Sequence, residues 1–221
     1  MPAPFHAAII PVTPYQQNCS LLWCDETKKG AVIDPGGDLD RVLDAAAGQG
    51  VTIEKIFLTH GHLDHASGAA DLKRKTGATL EGPHEADRFL LDALAENRRM
   101  PGFAHAEPVT PDRFLRDGDR VSFGNVSLEV LHCPGHTPGH VVLVSREALV
   151  MFCGDVLFRG SIGRTDLGGG DHSALIHSIV EKLWPLGGEM RFVPGHGPMS
   201  TIADERRSNP FVGDAVTGRS L

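Results

Sequence analysis

The chain has 221 residues, of which 41% are hydrophobic and 22% charged, so it reads as a globular protein of one large domain. A net charge of −7 argues against nucleic acid as a partner, because such binding draws on phosphate neutralisation. The apolar runs, such as Ala7 to Pro11 and Ala148 to Cys153, fall far short of the roughly 20 residues that span a bilayer, which excludes a membrane helix.

The N-terminus, Met1 to Phe5, has no Lys or Arg and no apolar core, so it does not read as a secretory signal. Strand patterns follow at His6 to Val12, Cys19 to Cys24 and Gly30 to Asp34, punctuated by Pro14 and by Pro35-Gly36-Gly37. Leu39, Val42, Leu43 and Ala46 then recur at helical spacing, with Asp38 placed to cap them. Ile53 to Leu58 reads as a strand buried on both faces. Asp64 to Thr76 reads as one helix ended by Gly77.

Glu85 to Arg99 places Ala86, Phe89, Leu90, Ala93 and Leu94 on one helical face. Strand signals resume at Asp119 to Phe123, Val126 to His132, His140 to Val144 and Leu149 to Cys153. A helix over Ser173 to Leu183 and a short strand at Arg191 to Val193 complete the pattern. Residues 1–211 are expected to form one domain, and the polar tail 212–221 to fray. Strands and helices mix throughout, which points to sheets covered by helices and leaves the topology open.

Twelve His against one Tyr and two Trp is the first pointer to metal chemistry. His60-Gly61-His62-Leu63-Asp64-His65 concentrates it: an H-x-H-x-D-H string is expected by chance about 0.003 times in a chain of this composition. It follows directly on an apolar strand. His60 and His62 alternate and can point the same way, Gly61 permits a tight turn, and Asp64 and His65 open a helix. Three further islands place metal-ligand types just past apolar strands: His136 within Pro134 to His140, Asp155 in Gly154-Asp155, and His196 within Pro194 to Pro198. Imidazole and carboxylate donors suit Zn, Fe or Mn. The four cysteines, Cys19, Cys24, Cys133 and Cys153, form no C-x-x-C. They read as buried thiols in a reduced, cytoplasmic protein.

Those islands lie in longer strings: CPGHTPGH at Cys133 to His140, GDVLFRGSIGRTDL at Gly154 to Leu167, and PGHGPMSTIADERRSNPF at Pro194 to Phe211. With H-x-H-x-D-H, they resemble the metallo-β-lactamase superfamily and, within it, the short single-domain bacterial members of the glyoxalase II (hydroxyacylglutathione hydrolase) branch. The resemblance runs from about Ile9 to Phe211. It implies an α+β fold, the αββα sandwich, with a metal cleft along one edge of its sheets. It implies two divalent ions, Zn first, with Fe or Mn also compatible. The first site would be His60, His62 and His136, the second Asp64, His65 and His196, with Asp155 bridging. The implied activity is hydrolysis of a small-molecule hydroxyacyl thioester, such as S-D-lactoylglutathione, by hydroxide generated at the metals. Asp64 and Asp155 are the candidate catalytic residues, Asp64 orienting the hydroxide. Two-domain members carry a further helical segment that contacts glutathione. This chain lacks room for it after His196, so the thiol carrier stays open, as does the oligomeric state.

An iron-dependent persulfide dioxygenase is the alternative, using positions like His60, His136 and Asp155. The complete second ligand set favours hydrolysis. A nucleic-acid phosphodiesterase of the same superfamily fits the acidic charge poorly. Around the motif, His140 and His132 read as structural, His172 and His177 as non-ligands, and His6, His84 and His105 as surface residues. Cys133 and Cys153 read as small packing residues. Arg164 reads as the partner of Asp166 or of a substrate carboxylate. Arg98-Arg99 and Arg206-Arg207 read as solvated pairs.

Overall fold

The computed structural model describes residues 5–218. The first four residues of the segment read against a secretory signal, and residues 219–221 of the tail, lie outside it. Five strands form one sheet: β1 (Phe5–Val12), β2 (Gln17–Cys24), β3 (Lys29–Ile33), β4 (Thr52–Phe57) and β5 (Thr79–Glu81), in that spatial order. The first two pairings are antiparallel and the last two parallel. The second sheet comprises β6 (Arg120–Phe123), β7 (Val126–His132), β8 (Val141–Ser145), β9 (Val150–Gly154), β12 (Arg191–Pro194) and β13 (Ser200–Thr201). Its spatial order is β13-β12-β9-β8-β7-β6, antiparallel except where β12 lies parallel to β9. Between β9 and β12 the chain also makes a short hairpin of β10 (Leu157–Phe158) and β11 (Ser161–Ile162).

Alternation along the strands builds the layers. On β2 and β3, Leu22, Ala31 and Ile33 face the second sheet, while Leu21, Trp23 and Val32 face outward. On β8 and β9, Leu143 and Phe152 face the first sheet, while Val142, Val144 and Met151 face outward. The inner faces form one core around Phe57, Phe123 and Phe152, each burial of this kind giving roughly 1.5–3 kcal/mol. Outer faces are covered by α1 (Leu39–Gly48) and α3 (Ala69–Thr76) on one side. On the other lie α5 (His172–Ser178) and the π-helical turn Ile179–Leu183. The result is the αββα sandwich. Strands buried on both faces therefore read as continuous apolar runs.

Several local expectations change. Asp38 stands at the start of α1 in a left-handed conformation and makes no side-chain cap; its Oδ2 instead accepts the Thr13 N–H at 2.8 Å. The expected helix Asp64 to Thr76 is two, α2 (Leu63–Ala66) and α3, broken at Ser67-Gly68. A side chain at Gly68 would collide with the Pro35 carbonyl, and the Ser67 hydroxyl donates to Gly36 O, so tertiary contact sets this break. Gly77 closes α3 in the left-handed region at φ 71°. The Glu85 to Arg99 stretch forms only α4 (Arg88–Asp92) between two 3₁₀ turns.

β4 is half-buried at Glu54 and Lys55, where Lys55 pairs with Glu81 at 2.7 Å. The last large helix starts one residue early, capped by Asp171, and ends its regular α turns at Ser178. β5, the β10–β11 hairpin and β13 have no counterpart in the sequence reading. After α6 (Ile202–Ser208), Val212 is buried and Asp214–Thr217 forms α7, tied by Arg206 Nε donating to Asp214 Oδ1 at 2.9 Å. The expected fraying after Phe211 does not hold there.

Candidate metal centre

The carboxyl ends of strands from both sheets meet at one edge of the sandwich. β3 and β4 run parallel, so Asp34 and Thr59 leave them side by side. β9 and β12 run parallel, so Asp155 and Gly195 do the same, with Gly195 N–H donating to Gly154 O at 2.8 Å. Backbone bonds stitch the sheets together here. Val141 N–H donates to Thr59 O at 2.8 Å, and Asn18 N–H to Gly195 O at 2.7 Å.

This convergence brings all seven expected residues together. His60, His62 and His136 place one ring nitrogen each within 4.8 Å of one another, and so do the donor atoms of Asp64, His65 and His196. Asp155 lies between the groups: Oδ1 is 3.4 Å from His65 Nε2, and Oδ2 is 3.5 Å from His136 Nε2 and 3.7 Å from His196 Nε2. Asp64 Oδ2 lies 3.0 Å from His196 Nε2.

Four of the five rings are oriented from behind. Nδ1 of His136 donates to Arg164 O at 2.7 Å, and Nδ1 of His196 to Tyr15 O at 3.1 Å. His65 Nδ1 donates to Asp34 Oδ2 at 2.9 Å, and His60 Nδ1 to Thr59 Oγ1 at 3.0 Å. These bonds put the proton on Nδ1 and leave the Nε2 lone pair facing the centre, an arrangement typical of ligating histidines. His62 differs, turning Nδ1 to within 2.9 Å of His136 Nε2.

Buried His60 Nε2, His65 Nε2 and Asp155 Oδ1 find no hydrogen-bond partner in the protein. Orphaned buried acceptors are costly, and three gathered at the two donor groups fit divalent cations, as does the all-imidazole and carboxylate donor set. Burial and the neighbouring rings hold His60 well below the usual histidine range, and burial with His136 lowers His62 to about 4. Burial opposes charge on His65, but Asp155 and Asp64 outweigh it and hold the ring above the usual histidine range.

Two acidic residues missed in the sequence organise this edge. Asp34 Oδ1 accepts Thr59 N–H at 2.7 Å, and Oδ2 accepts Thr59 Oγ1–H at 2.6 Å and the His65 ring. It therefore holds His65 directly and His60 through Thr59. It stands close enough to both to be a ligand itself, but its oxygens are already occupied. Fully buried Asp87 accepts Gly61 N–H at 2.9 Å and Thr137 Oγ1–H at 2.8 Å on Oδ2, and Gly139 N–H at 2.5 Å on Oδ1. It thus ties the His60–His62 loop to the His136 loop. Burial pushes its carboxyl above the usual range despite these bonds. An Asp directly after β3 and before Pro35-Gly36-Gly37 was the one available signal for Asp34; Asp87 had none.

The remaining histidines lie outside the cluster. His140 is buried, stacks on His60 with centroids 4.6 Å apart, and accepts Asp155 N–H on Nε2 at 3.1 Å. His132 stacks on His84 at 4.3 Å; His84 is half-buried, while His6, His105, His172 and His177 are exposed. Cys133 and Cys153 are buried thiols, Cys133 pushed up to about 12 by burial. Arg164 makes a two-bond pair with Asp166 at 2.7 and 2.8 Å.

His62, Asp64, His136, Asp155 and His196 form the floor of a cleft of about 750 Å³. α4 and the following turn contribute Leu90, Ala93, Leu94, Asn97 and Met100 to its walls. The β10–β11 hairpin and the loop after it contribute Phe158, Ser161, Ile162, Arg164 and Leu167.

The metallo-beta-lactamase superfamily pattern matches residues 12–196. Hydroxyacylglutathione hydrolase GloC of Haemophilus influenzae is 45% identical over 205 residues, covering 92% of this chain and 96% of that protein. The crystal structure of BLEG-1 B3 metallo-beta-lactamase superposes with a TM-score of 0.85 at 35% identity, covering 94% of this chain and 99% of that one. TTHA1623 in a di-iron-bound form gives 0.83 at 38%, covering 92% and 99%. Fold, cleft and sequence thus agree: the chain belongs to the metallo-β-lactamase superfamily, in its hydroxyacylglutathione hydrolase (glyoxalase II) branch.

Proposed function

We propose that the protein is a metal-dependent hydrolase cleaving hydroxyacyl thioesters, such as S-D-lactoylglutathione, to a hydroxy acid and a thiol. The observation that carries this reading is the position of Asp155 between two three-residue donor groups on the floor of an open cleft. His60, His62 and His136 would hold one divalent ion and Asp64, His65 and His196 a second, with Asp155 shared. A pair of such ions supplies Lewis acidity and hydroxide near neutral pH. Zinc is the proposed occupant, with iron and manganese compatible with the same donors.

The chain's own residues do the positioning. Asp34, Thr59, Tyr15 and Arg164 fix the rings of His65, His60, His196 and His136 from behind, so that these four need not reorient as charge develops on the carbonyl oxygen. Asp64, open to the cleft beside His196, is placed to orient an attacking water. The thiolate leaves readily, so no strong general acid is required. His140, fully buried and bonded to the Asp155 amide, takes no direct part. Four buried, unpaired thiols suit a reducing, cytoplasmic setting, and no helix among the described residues is long and apolar enough to cross a membrane.

The test is loss of the S-D-lactoylglutathione thioester with purified metal-loaded protein, with and without a chelator. Fast, chelator-sensitive hydrolysis is expected. Oxygen consumption with a persulfide and no thioester loss would replace this reading with the dioxygenase.

A further inference from the structure

The cleft above the candidate centre is unusual in what it lacks. Among the described residues lining it, Arg164 is the only Lys or Arg, and its guanidinium is taken up by Asp166 through two bonds. Glutathione carries two carboxylates and one ammonium group. Recognition of carboxylates at a binding site calls for cations or forked donors, and the lone cation lining this cleft already has a carboxylate beside it. Its walls instead present Leu90, Met100, Phe158, Ile162 and Leu167. Three of the large apolar side chains left exposed on this chain stand along it: Tyr15 at 48%, Met100 at 37% and Leu167 at 38%. An apolar surface left open beside polar chemistry marks where a ligand's apolar part lodges.

Resting on the thioester-hydrolase reading, we propose that this cleft recognises its substrate through an uncharged, apolar group of the thioester lodged against Leu90 and Met100. The charged ends of the thiol carrier stay in solvent and add little. The reaction is then selective for what lies next to the thioester and tolerant of the carrier beyond it. Each methylene covered by the wall adds about fourfold to affinity.

Two measurements on the metal-loaded protein test this together. The first is calorimetric binding of non-hydrolysable thioethers, S-butyl and S-hexyl, each made on glutathione and on uncharged N-acetylcysteamine. The hexyl compounds are expected to bind about fifteenfold more tightly than the butyl ones on either carrier. The two carriers should differ by less than about threefold, and Met100→Lys should reduce the gain from the longer chain. Glutathione compounds binding more than tenfold tighter, or no dependence on chain length, would overturn the proposal.

The second measurement compares kcat/KM for D-lactoyl thioesters of the two carriers. Similar values are expected. Hydrolysis of the glutathione ester alone would overturn the proposal. If neither ester is hydrolysed while the thioethers bind in the expected order, the hydrolase reading fails and the apolar selectivity stands.

Discussion

Replacing Asp87 by Asn keeps the shape of a buried side chain and removes its charge. Asp87 accepts three bonds, from Gly61 N–H, Thr137 Oγ1–H and Gly139 N–H. An Asn offers one acceptor oxygen, so its amide end must face at least one of these donors. A buried donor left unpaired costs about 1–3 kcal/mol. Against this, burial already disfavours the ionised carboxylate, so the neutral side chain recovers part of the loss. The net expectation is destabilisation by about 2 kcal/mol, a fall of about 4–8 °C in Tm for a domain of this size. The two loops that Asp87 ties carry His60, His62 and His136, so metal affinity at that group should fall about tenfold or more. Urea denaturation of the metal-free protein gives the first number, and equilibrium dialysis against zinc the second. An unchanged denaturation midpoint together with wild-type zinc affinity would refute the reasoning that Asp87 holds the site.

Other consequences follow from the same geometry. A Cβ at Gly195 would stand 2.0 Å from Asp155 Oδ1 and 2.6 Å from His65 Cε1, so Gly195→Ala should lower metal content while far-ultraviolet circular dichroism stays native; full occupancy would contradict the placement of Asp155. Asp155→Ala should lower both metal content and thioester hydrolysis, and retention of both metals with full turnover would remove its bridging role. Occupancy should also depend on pH in a definite order. Burial keeps the His60 and His62 rings neutral, so protons compete weakly for them near pH 7. Burial opposes charge on His65 and His196 too, but Asp155 and Asp64 raise both rings, so protons compete there as pH falls. Dialysis between pH 8 and pH 6 should therefore empty the Asp64–His65–His196 group first; simultaneous loss from both groups would count against this.

The seven residues of the candidate centre were legible because each sits in a short local pattern. His60 to His65 is compact in sequence, and His136, Asp155 and His196 each follow an apolar strand, the two histidines among Gly and Pro residues and Asp155 directly after Gly154. Most strands were legible for a related reason: inner and outer faces are both buried, so their apolar runs stand out. What escaped depends on contacts between distant parts of the chain. Asp34 reaches Thr59 across 25 positions and Asp87 reaches Gly139 across 52, and nothing near either residue announces the partner. The break between α2 and α3 comes from Gly68 against the Pro35 carbonyl, while the helical spacing of the side chains runs on past it. Val212 looked like part of a polar tail because its burial depends on a core supplied by α5, α6 and β12. The cleft's apolar walls likewise combine α4 with the β10–β11 hairpin, elements some 70 residues apart that local patterns do not connect.

The most direct test of the two-metal hydrolase is a titration of metal-free protein with zinc, following S-D-lactoylglutathione hydrolysis and bound metal in the same samples. Two ions are expected to bind per chain, with turnover appearing chiefly as the second binds and lost again on chelation. Full turnover with a single ion per chain, or two bound ions with no thioester cleavage, would contradict it.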